Sequence, residues 1–399
     1  MTQADTTAQV TAIPAIPSDL HYVLLLFALF VLPSALQRYR IPAAITSFAL
    51  GMIAQALGWF ANDATVHLMS TFGIVALFLF AGLEIDGAEL RRGRRALVQH
   101  AVIWIVMAIG AALLAQSTLG VSGRTAALIA LALVTPSTGF ILSSLDRFGL
   151  STHERFAVKS KAIAAELLSL AALFGVLQST SAEQLGIASA ALLAIIVLVP
   201  LAFRVFARTI VPYAPRSEFA FLLMVGVVCA YATRRLGVYY LVGAFIVGVA
   251  AQRFRSRLPA MSSERVVTAL EAFGSVFIPF YFFNAGMHVE RSELTPGALA
   301  LGVGLVLAAA PLRVLVTLAH RRWLLGETAH AARRVGIALL PTLVFTLVLA
   351  DLLRARDDTP PFVVGALIVY TVLNTVIPAF MLRSAPPAFE DVAAADVAA

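Results

Sequence analysis

Charge is scarce in this chain: 13% of its 399 residues are Asp, Glu, Lys or Arg, against 60% hydrophobic. Soluble domains carry about 25% charged residues, so a water-soluble globular protein is excluded. Cysteine is nearly absent, and the single Cys229 rules out an intrachain disulfide framework. The seven histidines have no partners at metal-ligand spacing. No nucleophile–base constellation is visible either, so an enzyme is not expected and no cofactor is implied. The apolar runs do not alternate with polar residues, which excludes a membrane barrel. No Lys or Arg precedes the first apolar run. A signal peptide needs a basic start, so residues 1–19 read as an extracytoplasmic tail.

What the chain does have is thirteen apolar stretches between residues 20 and 382, each long enough to cross a bilayer. Continuous apolar runs of this length select helices, because every backbone group must be satisfied inside lipid. The expected fold is an all-α membrane protein of 13 transmembrane helices. Of the 29 basic residues, 22 fall in alternate loops on one side and six on the other. That bias places the N-terminus outside and the C-terminus in the cytoplasm. The net charge of +7 therefore reflects orientation, not nucleic-acid binding.

With this parity, residues 20–178 and 216–382 can form two inverted six-helix repeats joined by a linker helix at 184–207. Residues 383–399 read as a short cytoplasmic tail. Matched proline-containing segments support the repeats. Span five holds Thr135, Pro136, Ser137, Thr138 and Gly139; its partner, span twelve, holds Pro341 and Thr342. Proline removes a backbone hydrogen bond and frees a carbonyl. Breaks at corresponding places in two halves point to a transport site at the midplane.

Two charges lie deep in apolar runs, Glu166 in span six and Arg313 in span eleven. A carboxylate there costs several kcal/mol, roughly, and is a functional-site candidate by default. Burial opposes its ionised form, whereas a cation or a nearby Arg313 favours it, so Glu166 can exchange a proton for a cation. The alternative is a static Glu166–Arg313 pair that fixes two helices. Lys159 and Lys161 read as anchors reaching for the membrane surface. Glu84 and Glu271 read as interface charges, and Asp351 as a partner for Arg354. The segment with Gly243 and Gly248 reads as close helix packing.

Four stretches carry a family resemblance. They are Leu77–Asp86 in span three, Thr135–Thr138 in span five, Ala165-Glu166 in span six and Phe282–Val289 in span ten. The chain resembles the monovalent cation:proton antiporter superfamily, in the branch of bacterial sodium/proton antiporters and potassium-efflux proteins. That resemblance implies a dimer-forming panel and a mobile core holding spans five, six, eleven and twelve. It assigns proton and cation binding to Glu166, the only metal-ion ligand carried over, and a buried basic residue to Arg313. Thr135, Pro136, Ser137, Thr138, Ala165, Pro341 and Thr342 would line the cation site.

The chain also departs from the family. Relatives place a second polar or acidic residue where Ala165 stands, and many place an acid near Leu343. Relatives of the potassium-efflux type also append a C-terminal nucleotide-binding regulatory domain, which is not expected here. With so few side-chain oxygens, carbonyls freed at the breaks would have to complete a cation's shell.

The expected function is proton-coupled antiport of sodium or potassium, electroneutral because one carboxylate exchanges one proton for one cation. Two other readings remain: a proton-driven exporter of a small organic cation or solute, and a non-transporting membrane sensor that retains the fold. The expected partners are the proton and a monovalent cation, the lipid bilayer and a second copy of the chain, with no nucleic acid.

Overall fold

The structure, a computed structural model, describes residues 18–382 except 86, 88–90, 92, 179–180, 215–216, 237–239 and 256–263. The tail at 383–399, Asp86 and all but the last two residues of the 1–19 tail lie outside the described residues. Every described regular element is a helix. In order they are α1 (Ser18–Leu36), α2 (Ala43–Leu57), α3 (Ala64–Leu83), α4 (Arg94–Leu119), α5 (Gly123–Val134) and α6 (Thr138–Ser144). Then come α7 (Thr152–Gln178), α8 (Ala182–Thr209), α9 (Glu218–Arg235), α10 (Tyr240–Arg255) and α11 (Glu264–Met287). The last four are α12 (Pro296–Ala319), α13 (Ala329–Ala338), α14 (Leu343–Arg354) and α15 (Pro361–Met381).

The chain is a multi-pass membrane protein. Among the described residues, eight helices are long and apolar enough to cross a membrane, or nine if the bent pair α13–α14 is one span. The short α2 falls outside that set. Its 15 residues reach only about 22 Å at the helical rise, less than the hydrocarbon thickness. Thirteen crossings therefore exceed what helix length and apolarity alone support.

Helix starts follow capping chemistry. Asp63 accepts from the backbone N–H groups of Thr65 and Val66 at 2.9 Å ahead of α3. Thr295 and Thr328 do the same ahead of α12 and α13. Each oxygen satisfies a donor that the first helical turn leaves orphaned.

The helices sort into two groups. In one, α3 packs on α10 and α11, and α11 packs on α2. Glycines allow this: a Cβ on Gly82 of α3 would stand 2.9 Å from the Cα of Gly248 on α10. Gly286 of α11 likewise faces the backbone of α2 at Phe48 and Met52. The close packing expected around Gly248 is observed. In the other group α12 packs on α13 and α15, α14 on α5 and α15, and α4 on α5. Helix α6 bridges the groups by touching α3. The outward faces of α4 and α8 carry exposed Leu113, Leu114, Leu193 and Val197, as lipid-facing helices do.

Candidate functional site

Both expected breaks are present. Residues 135–137 interrupt α5–α6, and residues 339–342 interrupt α13–α14, which bend by 42°. The breaks meet: the Ser137 N–H donates to the Pro341 carbonyl at 2.8 Å. Proline alone does not explain them, because Pro33, Pro200, Pro279, Pro311 and Pro378 all lie inside continuous helices. What distinguishes the two sites is that tertiary partners take up the freed carbonyls.

The accounting is direct. Pro136 has no N–H for the carbonyl of Ala132, four residues earlier. The hydroxyl of Thr346 on α14 donates to that carbonyl at 2.8 Å. The Leu133 carbonyl accepts from the Tyr370 hydroxyl at 2.8 Å. At the second break Arg313 donates to the carbonyls of Leu339 and Leu340 at 2.8 and 2.9 Å. Asn374 adds a further bond to Leu340 at 2.5 Å. The freed carbonyls expected to complete a cation shell are thus engaged by side chains of α12, α14 and α15.

Glu166 lies on α7 and is 3% exposed. Thr138 supplies the donors nearest its carboxylate, a hydroxyl and a backbone N–H. The geometry is too loose for complete hydrogen bonds, since Glu166 Oε2, Thr138 Oγ1 and Ser137 Oγ all lack a partner among the described residues. The hydroxyls of Thr135 and Thr342 are committed elsewhere, to Ser169 at 2.7 Å and Thr371 at 2.8 Å. Ala165 is fully buried, and its carbonyl accepts from Ser169. Of the expected lining residues, then, Ser137 and Thr138 are the ones whose side-chain oxygens lack a hydrogen-bond partner, and Thr138 is the one next to the carboxylate of Glu166.

Arg313 is 8% exposed and makes no ion pair with Glu166. It sits instead at the C-terminal end of α13, where carbonyl dipoles favour a cation. Tyr370 links the two breaks: its hydroxyl donates to Leu133 and accepts from Arg313 at 3.1 Å. Sequence reasoning missed Tyr370 and Asn374, although two polar side chains four apart in an apolar span lie on one helix face.

Lys161 is not a surface anchor. It is 3% exposed, and its ammonium lies 2.9 Å from His320 Nδ1. The expectation failed because Lys161 packs against α4 and α12 rather than lipid. Lys159 pairs with Glu84 at 2.6 Å. Asp351 pairs with Arg354, as expected, and Arg354 also binds Glu293.

A cavity of about 760 Å³ opens between the two helix groups. Arg38, Arg40 and Arg147 stand with Glu84 and Glu271 at its Arg-rich end. Its wall includes Gly139, the residue after Thr138. Glu166 does not line the cavity and sits behind Thr138.

The family model described as sodium/hydrogen exchanger, transmembrane, matches residues 24–384. The Na(+)/H(+) antiporter NhaS5 of Synechocystis sp. is 24% identical over 396 residues, covering 92% of this chain. The chain spans only 54% of that relative's length. The Na(+)/H(+) antiporter of Enterococcus hirae is 22% identical over 87% of this chain and 92% of its own length. Among solved structures, the sodium proton antiporter MjNhaP1 of Methanocaldococcus jannaschii superposes with a TM-score of 0.66. That match has 15% identity and covers 90% of this chain and 95% of the other, so the fold is shared. The long family match and the crossed, broken helices agree: this chain belongs to the sodium/hydrogen exchanger family.

Proposed function

We propose that the protein is a secondary transporter that exchanges protons for a monovalent cation, sodium or potassium, at Glu166. The observation that carries this reading is a buried carboxylate with an unpartnered oxygen, next to Thr138 where two broken helices are bonded to each other. An isolated ionised carboxylate in an apolar interior is too costly to persist. With Arg313 engaged at the second break, a proton or a cation is the remaining way to neutralise it. The two compete for one group, and that competition is antiport.

In this reading Glu166, Ser137 and Thr138 contribute oxygens, and water completes the shell. Arg313 holds the carbonyl end of α13 and adds positive potential that weakens cation binding until it is needed. The 760 Å³ cavity is the aqueous approach from the cytoplasm, and Thr138–Gly139 is the barrier between it and the carboxylate. One exchanging carboxylate makes the cycle electroneutral, one proton for one cation. The Arg-rich end faces the cytoplasm and the N-terminus lies outside. The chain works as a homodimer in a bacterial inner membrane, its two six-helix halves related as inverted repeats.

Exchange in proteoliposomes tests the proposal. A pH gradient should drive sodium or potassium uptake without a membrane current, and Glu166→Gln should abolish it. Wild-type flux in Glu166→Gln would overturn the assignment. A current that depends on the cation gradient would overturn the stoichiometry alone.

A further inference from the structure

A second, smaller cavity of about 40 Å³ lies beside the breaks, between α4, α7 and α12. A buried water needs on the order of 10–15 Å³ by this kind of measure, so the space suits one monatomic ion or a few waters. Its lining differs from that of the cation site. Lys161, Arg313, His320, His100 and Trp104 all contribute, and no carboxylate does.

Lys161 and Arg313, both buried, therefore share a small space whose lining holds no acid. Neither Lys161 nor Arg313 makes an ion pair among the described residues. Nearby Arg321 shows the usual remedy, because it is buried and paired with Glu327 at 2.5 Å. A buried charge without a counter-charge costs several kcal/mol, roughly, even after relaxation.

Several polar atoms of the wall are donors. An ammonium has only donors, so His320 Nδ1 accepts from Lys161. The His320 proton then sits on Nε2, which meets Gln99 Oε1 at 3.1 Å. Trp104 is 6% exposed, and its Nε1–H, a donor only, has no partner among the described residues. His100 Nε2 is also buried without a partner. An orphaned indole donor and two buried basic side chains without an ion-pair partner around one ion-sized space call for the same thing, a negative charge.

We propose that this cavity binds a small monovalent anion of the halide class, held between Lys161, Arg313 and the indole N–H of Trp104. The bound anion neutralises the cationic pair and satisfies the indole, so the wall next to Ala165 and Pro136 is stable without an acidic side chain. The site is separate from Glu166, which does not line it, and the inference does not depend on transport.

Equilibrium binding of radioactive chloride to the purified full-length protein, with gluconate as the replacing anion, tests this. The expected result is saturable binding of one chloride per chain, displaced by bromide and retained in Glu166→Gln. Trp104→Phe keeps the ring and removes the donor, and should weaken binding about tenfold. Lys161→Gln should abolish it. Absence of saturable binding overturns the proposal, as does saturable binding that Trp104→Phe leaves unchanged. Because Lys161→Gln can fail to fold, anomalous diffraction from wild-type crystals soaked in bromide gives an independent reading. A bromide peak between Lys161 and Trp104 supports the site, and peaks confined to the surface overturn it.

Discussion

The backbone N–H of Ser137 donates to the carbonyl of Pro341 at 2.8 Å, so the two interrupted helices are bonded to each other at their breaks. An interruption in one helix is stabilised by the interruption in the other. Thr346 of α14 and side chains from two further helices, α12 and α15, occupy the carbonyls that remain. The crossing is thus one cooperative unit, and changes to any member should be felt at Glu166.

Tyr370 is the most connected member. Tyr370→Phe would leave the Leu133 carbonyl without its donor and Arg313 without one acceptor. A buried polar group left unsatisfied costs about 1–3 kcal/mol. We expect destabilisation of that size in denaturant unfolding of detergent-solubilised protein, together with slower exchange. Unchanged stability would mean that water replaces the hydroxyl.

Arg313 should not tolerate replacement by lysine. Its planar fork reaches the carbonyls of Leu339 and Leu340 at once, a geometry a single ammonium does not reproduce. Arg313→Met should cost about 1–3 kcal/mol for each carbonyl orphaned. Arg313→Lys should fall between Met and wild type. Equal thermal stability of the lysine variant and wild type would show that charge alone suffices.

The α3–α10 contact predicts a contrast between glycines. Gly248→Ala would put a methyl within van der Waals overlap of α3 and should destabilise by about 1–3 kcal/mol. Gly110 of α4 has open space around it, so Gly110→Ala should be neutral or stabilise by up to about 1 kcal/mol. Thermal unfolding of the two variants side by side checks the pair.

Asp358, in the loop before α15, accepts from the Thr125 hydroxyl at 2.7 Å and the Ser122 N–H at 2.9 Å. These bonds hold its carboxyl down at about 2. A depressed carboxyl stabilises the fold above the unfolded value of about 3.9. That contribution disappears as pH falls through the folded value. Wild type should therefore lose thermal stability between about pH 4 and pH 2, and Asp358→Asn should lose less over that window. Parallel slopes for the two proteins would remove Asp358 from acid unfolding.

Much of this architecture was legible in the residues. Glu166 and Arg313 stand out because little else that is charged lies deep in an apolar run. The breaks at Pro136 and Pro341 stood out because both prolines neighbour small polar residues at matched places. The segment with Gly243 and Gly248 marked a close approach, because only a missing Cβ lets two backbones meet there.

Other features were not legible. Lys161 looked like a surface anchor because linear position gives depth but not facing, and only packing against α4 and α12 buries it. Arg313 and Glu166 looked like partners because similar depth suggests a pair, although depth does not fix the side of a helix. The carbonyl partners Thr346, Tyr370 and Asn374 come from helices distant in sequence, and no local pattern connects them to the breaks.

Composition and periodicity alone determined that this is a helical membrane protein with a buried carboxylate and two interruptible helices, because those properties follow from transfer free energies and backbone valence. Which oxygens at the crossing remain free, and which buried basic side chains stand without an ion-pair partner, was decided only by tertiary packing. Hydrogen bonds saturate, so the availability of a group depends on every neighbour that competes for it.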